Sequence, residues 1–175
     1  DLYFWLSVLW AILISICFVD NLLIVWAVAQ NKNLRGPCFT LIAITALADS
    51  VQVLGLAPKI VTYILFGTEM MDARKCLYIE FIPIIFNGIS NCTVISIALD
   101  RLLSSVSPMI YMRMKKKTSY LFLHFTLIAL YTAIQMSHLL RYFEDGEVYC
   151  TMSPIFMGDA RLLWVLQAMV LLIHV

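Results

Sequence analysis

The stretch CLYIEFIPIIFNGISNCTVISIALDRLLSSV, Cys76–Val106, decides how the chain is read. Crossing about 30 Å of hydrocarbon as a helix takes roughly 20 predominantly apolar residues, and this run is longer than that. Its polar residues are ordered. At about 100° of rotation per residue, Asn87, Asn91 and Arg101 all fall within about 60° of the direction of Glu80. Val94 and Ala98 share this face and Ser90 lies beside it. A polar stripe therefore runs the length of an apolar helix and ends on a basic group. Such a stripe belongs against other helices rather than lipid. Interhelical hydrogen bonding, at about 0.6 kcal/mol per bond, is one account of it and a functional face is the other.

Outward from this run the pattern repeats. Leu2–Ala29, Cys38–Phe66 and Ser119–Leu140 are further spans, and Ala160–Val175 opens a fifth. Short polar links, Asn31–Pro37, Gly67–Lys75, Ser107–Thr118 and Arg141–Asp159, separate them. Pro37 suits the first turn of the second span. The first run lacks a basic leader and is too long for a signal-peptide core. Barrel strands would show segments of about ten residues with alternating polarity, whereas these runs are continuously apolar. The predicted fold is all-α: a single multi-pass transmembrane bundle with spans near 2–29, 38–66, 76–106, 119–140 and 160–175. Asp1 opens the chain and Val175 falls inside an apolar run, so both ends read as cut from a longer protein.

Composition agrees. Hydrophobic residues make up 62% and charged residues 13% of the 175 positions, with a mean hydropathy of +0.91. A soluble domain carries about a quarter charged residues, so lipid must cover much of this chain. A net charge of +1 lacks the basic footprint of a nucleic-acid binder. The five cysteines, Cys17, Cys38, Cys76, Cys92 and Cys150, show no CxxC spacing, and their odd number leaves at least one thiol free if the others pair within the chain.

Loop charges orient the bundle. The first and third links with their flanks carry Lys32, Arg35, Arg101, Arg113, Lys115, Lys116 and Lys117; the second and fourth carry Arg74, Lys75, Arg141 and Arg161. The first and third links are thus expected on the cytoplasmic side, with the N-terminus outside. Lys115–Lys117 serves either as a stop beside anionic headgroups, at roughly 1 kcal/mol per lysine, or as a partner contact. Asp49 lies deep in the second span, where a charge costs about 2.5–3.5 kcal/mol. It is either a protonated carboxyl bonded to a neighbouring helix or an ion or proton site facing the bundle. The sequon Asn91-Cys92-Thr93 falls mid-span and is no glycosylation site.

Enzyme signatures are missing from the sequence: no HExxH, no GxSxG and no paired catalytic carboxylates. His124, His138 and His174 are scattered and read as packing or interfacial residues. A transporter would show related halves and paired broken helices; neither is visible.

The third span ends Asp100-Arg101-Leu102, with Pro108 and Tyr111 following. This resembles the Asp-Arg-Tyr motif of rhodopsin-like G-protein-coupled receptors, with Leu102 in place of Tyr. Cys76 lies 25 residues before Arg101, and Cys150 falls in the second outer loop. Ala46-Leu47-Ala48-Asp49 looks like the helix 2 motif, Asn21 stands 28 residues before Asp49, and Ser90 matches the helix 3 serine of the sodium pocket. Leu34–Leu54 and Cys76–Tyr111 further resemble the Srsx class of nematode serpentine chemoreceptors. The resemblance covers about five of seven helices. It departs at Asp20, where Gly is usual, at Ile128 near the place of the helix 4 Trp, and at Pro83, which stands where amine receptors carry Asp.

The resemblance implies a chemosensory receptor in the plasma membrane that binds a small-molecule or peptide ligand and activates a heterotrimeric G protein. It implies a Cys76–Cys150 disulfide, and a ligand pocket lined by Glu80, Pro83, Ile84 and Asn87. Asn21, Asp49 and Ser90 would form a polar cluster able to hold a modulatory sodium ion; no other cofactor is implied. Asp100, Arg101, Pro108 and Tyr111 would form the G-protein switch, with Asp100 holding Arg101 at rest. The alternatives are a transporter or channel subunit and a non-functional truncated receptor product.

Overall fold

The computed structural model describes residues 2–34, 36–57, 70–114, 118–141 and 146–150. The expected fifth span, the end of the second span with Pro58 and Lys59, and the basic run 115–117 lie outside the described residues. Among the described residues four long helices are present: Leu2–Gln30, Pro37–Leu54, Ala73–Val106 and Thr118–Arg141. Each is long and apolar enough to cross a membrane. A short helix, Pro108–Met114, follows the third.

The boundaries follow from local chemistry. Gly36 precedes the second helix in an extended conformation and Pro37 occupies its first turn, where a missing N–H costs nothing. Asp72 starts the third helix, its carboxylate accepting from the backbone N–H groups of Arg74 at 2.9 Å and Lys75 at 3.4 Å. This cap sets the start at Ala73 rather than at Cys76, because a count of apolar residues passes over the charged pair Arg74 and Lys75. In the second helix Thr40, Thr45 and Ser50 donate their hydroxyls to carbonyls four residues back, which satisfies them without water.

The third helix is the centre of the assembly and packs on both the second and the fourth, while the first packs on the second. The first helix is apolar on all sides, and Trp5, Trp10 and Trp26 lie on its exposed surface, as a helix in lipid can be. Two glycines mark close approaches. A Cβ on Gly55 would lie 2.7 Å from both Glu80 Oε2 and Pro83 Cβ, and one on Gly88 would lie 2.5 Å from Gln135 Oε1. Small residues at such crossings let neighbouring helices pack closely in lipid.

A two-stranded antiparallel ribbon, Met70–Asp72 with Glu147–Tyr149, joins the loops at one end of the bundle, with Met71 opposite Val148. Strands of three residues are too short to show alternation in the sequence. The Cys76–Cys150 disulfide lies beside this ribbon, with Cα atoms 5.4 Å apart. Ala73, Cys76, Ile84, Leu139, Val148 and Cys150 form the apolar core of this end. A second cluster, Leu41, Cys92 and Ile128, joins the second, third and fourth helices.

Of the stripe expected on the third helix, Glu80 and Asn87 are buried and Asn91 is half-buried, and the helix has a second buried face besides. Because that helix is held between two neighbours, it has two buried faces. Glu80 and Ser90 turn toward the second helix, while Gly88 and Asp100 turn toward the fourth. Arg101, placed on the stripe by rotation, is exposed, and Asp100 is completely buried.

Candidate functional site

Three polar positions follow one another down the third helix. At the disulfide end is Glu80, one turn below Cys76. It is 0% exposed, and among the described residues neither carboxyl oxygen has a hydrogen-bond partner. The Gly55 backbone and the Pro83 ring crowd it. Of the other residues expected to line a pocket, Ile84 is part of the apolar core, and Asn87 is buried, its Oδ1 accepting from Asn91 Nδ2 at 3.0 Å. An open apolar groove of about 570 Å³ runs along a different face of the third helix, between Ile85 and Ile89 and the fourth-helix residues Phe125, Ala129 and Met136. None of the four expected pocket residues lines it.

In the middle, Ser90 donates its hydroxyl to Asp49 Oδ1 at 2.6 Å, joining the third helix to the second. Asn21 is half-buried on the first helix, and among the described residues no hydrogen bond joins it to this pair. Asp20 beside it is exposed.

The far end holds a cluster that the sequence reading only half anticipated. Asp100 accepts two hydrogen bonds: Oδ1 from the Tyr120 hydroxyl at 2.8 Å and Oδ2 from the Tyr111 hydroxyl at 3.3 Å. The two tyrosine rings meet edge to face with centroids 6.3 Å apart, and Tyr120 meets His124 the same way at 4.8 Å. Burial and the nearby Asp100 carboxyl push the Tyr111 hydroxyl above its ordinary value, so it stays a donor. The expected Asp100–Arg101 ion pair does not form. Neighbouring residues on a helix point about 100° apart, so Asp100 faces the fourth helix while Arg101 lies beside the Cys38 thiol of the second. Pro108 opens the short helix that carries Tyr111. Ser104 and Ser105 donate to the Arg101 carbonyl at 2.7 and 3.0 Å.

Tyr120 is the residue sequence reasoning missed, whereas His124 is the packing residue expected, set against the Tyr120 ring. A lone tyrosine opening an apolar run looks like an interfacial aromatic, and a lone histidine like packing. The available signal was spacing: Tyr120 and His124 are one turn apart and so share a face.

This chain is similar to human olfactory receptor 1N2, at 26% identity over 55% of the chain and 30% of that protein. It is similar to rat melanopsin at 30% identity over 64% of the chain and 24% of that protein. Human olfactory receptor 4K17 matches at 25% identity over 67% of the chain and 38% of its own length. The chain thus spans less than two fifths of the length of these curated relatives. The family model for the serpentine type 7TM GPCR chemoreceptor Srsx matches residues 14–175, nearly the whole chain, and the chain belongs to that family of multi-pass membrane receptors.

Proposed function

We propose that this chain forms the first helices of a chemosensory receptor of the plasma membrane that passes a ligand signal to a heterotrimeric G protein. The observation that carries the reading is the Asp100–Arg101 pair at the end opposite the disulfide, with Asp100 buried and bonded and Arg101 exposed. A permanently charged, rigid donor fork at the end of a central helix suits a partner contact. A disulfide needs an oxidising compartment, which supports placing the Cys76–Cys150 end outside. The basic residues near Arg101 support the cytoplasmic side for the other end. The names of the olfactory relatives support a chemosensory role.

The ligand would enter from the disulfide end and reach Glu80, the buried carboxyl that has no partner there. The Asp49–Ser90 pair offers oxygen ligands that suit a hard cation. A sodium ion held there would need further ligands, and Asn21 is bonded to neither residue.

The test uses the full-length receptor in a membrane with nucleotide exchange on added G protein as the readout. Arg101→Ala should abolish ligand-driven exchange and leave ligand binding intact. Normal ligand-driven exchange in that variant would overturn the assignment.

A further inference from the structure

We infer that Tyr120, on the fourth helix, is the positioning residue that holds the signalling end of the third helix at rest, through its hydrogen bond to Asp100. The inference rests on the receptor reading above and goes beyond it, because it moves the restraint from Arg101 to another helix.

Both oxygens of Asp100 are engaged by tyrosines and neither by Arg101. Of the two bonds, the one from Tyr120 is shorter, 2.8 Å against 3.3 Å, and both its ends are buried, Tyr120 at 6% exposed and Asp100 at 0%. Tyr111 is half-buried on the short helix, where water competes. A hydrogen bond to a carboxylate sheltered from water is the stronger kind. Tyr120 is therefore the principal tie and Tyr111 the lesser one.

The Tyr120 ring is aimed by its surroundings. His124, one turn further along the same helix, is 4% exposed and packs its ring against Tyr120. Among the described residues neither of its ring nitrogens has a hydrogen-bond partner, so it acts on Tyr120 as a wall.

The mechanical consequence follows from helix geometry. Asp100 and Arg101 are adjacent, so fixing the direction of one fixes the other. While Tyr120 holds Asp100 against the fourth helix, Arg101 stays beside Cys38. Turning or shifting the third helix to present Arg101 to a partner must break the Tyr120 bond or carry the fourth helix along. The bond thus stabilises the resting state and not the active one, which is the differential a switch requires.

Tyr120→Phe tests this, because it keeps the ring and its contact with His124 and removes only the hydroxyl. The full-length receptor in lipid nanodiscs would be assayed for ligand-independent uptake of a non-hydrolysable GTP analogue by a panel of purified heterotrimeric G proteins. Loss of a hydrogen bond to a carboxylate should raise this basal exchange by about tenfold. Asp100→Asn should raise it too, and the double variant should go no higher than the stronger single one. His124→Phe should behave as wild type, because it rebuilds the wall, while His124→Ala should raise basal exchange. An unchanged basal rate in Tyr120→Phe, in a receptor whose wild type promotes exchange, overturns the inference, as do additive effects in the double variant. If no form promotes exchange, wild type included, the receptor reading fails and the role of Tyr120 falls with it. A thermal-stability cycle on the same four proteins would then still report whether the two side chains are coupled, so the two failures are distinguishable.

Discussion

Replacing Glu80 by methionine should make the receptor more stable and less responsive. The carboxyl is completely buried, and among the described residues both its oxygens are without partners. Each unsatisfied buried polar group costs about 1–3 kcal/mol. Methionine has similar length and no oxygen to satisfy, so Glu80→Met should gain about 1–3 kcal/mol by the same measure. If the carboxyl receives a charged or donor group of the ligand, the same change removes a contact of about 1.5–3 kcal/mol. The half-maximal ligand concentration should then rise roughly tenfold or more. Glu80→Gln should weaken the response without the gain in stability, since it keeps the shape but still buries unsatisfied polar atoms. The assay pairs thermal unfolding of the purified receptor with a dose–response curve in membranes. A less stable Glu80→Met protein, or dose responses that superimpose on wild type, would refute the reasoning. Opposite signs on stability and response are the mark of a group kept for function.

Other outcomes can be checked on the same protein. Gly55→Ala should destabilise by about 1–3 kcal/mol, because its Cβ would lie 2.7 Å from Pro83 Cβ and from Glu80 Oε2; thermal unfolding at the wild-type midpoint would count against this contact. Cys150→Ser should cost about 2–4 kcal/mol, and non-reducing peptide mapping should recover Cys76 and Cys150 as one linked species from wild type. Ser90→Ala should cost about 1–3 kcal/mol, since it takes the donor at 2.6 Å from Asp49. Asp49→Asn should abolish any effect of sodium on agonist affinity, read by radioligand displacement with sodium and with a large organic cation in its place.

What was legible in the sequence followed from the solvent. Apolar runs of the right length become helices because lipid leaves the backbone no other partner, so four of the spans could be read from hydropathy. What was not legible depends on which neighbour each residue meets. Asp100 and Arg101 are adjacent and both charged, and rotation about an isolated helix put Arg101 on the polar stripe. Only the position of the fourth helix decides that Asp100 turns inward. The same holds for Gly55 and Gly88, which in the sequence are single glycines in apolar surroundings and in the structure are crossing points. The ribbon between Met70–Asp72 and Glu147–Tyr149 pairs segments far apart in sequence, and neither half alone carries a strand signal.

The partners of the third helix suggest how a signal could travel along it. Ser90 is tied to the second helix and Asp100 to the fourth, while Glu80 is buried with no hydrogen bond among the described residues. A ligand that engages Glu80 adds a contact where none existed, so its binding energy is not spent on breaking one. At 1.5 Å per residue, Glu80 and Asp100 lie about 30 Å apart on one continuous helix, and displacement at one end reaches the other as movement of a rigid body. The two hydrogen bonds to neighbouring long helices, Ser90 to Asp49 and Tyr120 to Asp100, oppose that movement at about 1.5–3 kcal/mol each, with the longer Tyr111 bond from the short helix beside them. One new contact of the same kind at Glu80 offsets only one of them. A full response therefore requires a ligand with contacts beyond Glu80, whereas a variant that has lost the Tyr120 bond should respond to a ligand whose chief contact is Glu80. Partial agonists becoming full agonists on Tyr120→Phe would be the signature of that arrangement, and unchanged efficacy across a ligand series would argue that the third helix does not move as one body.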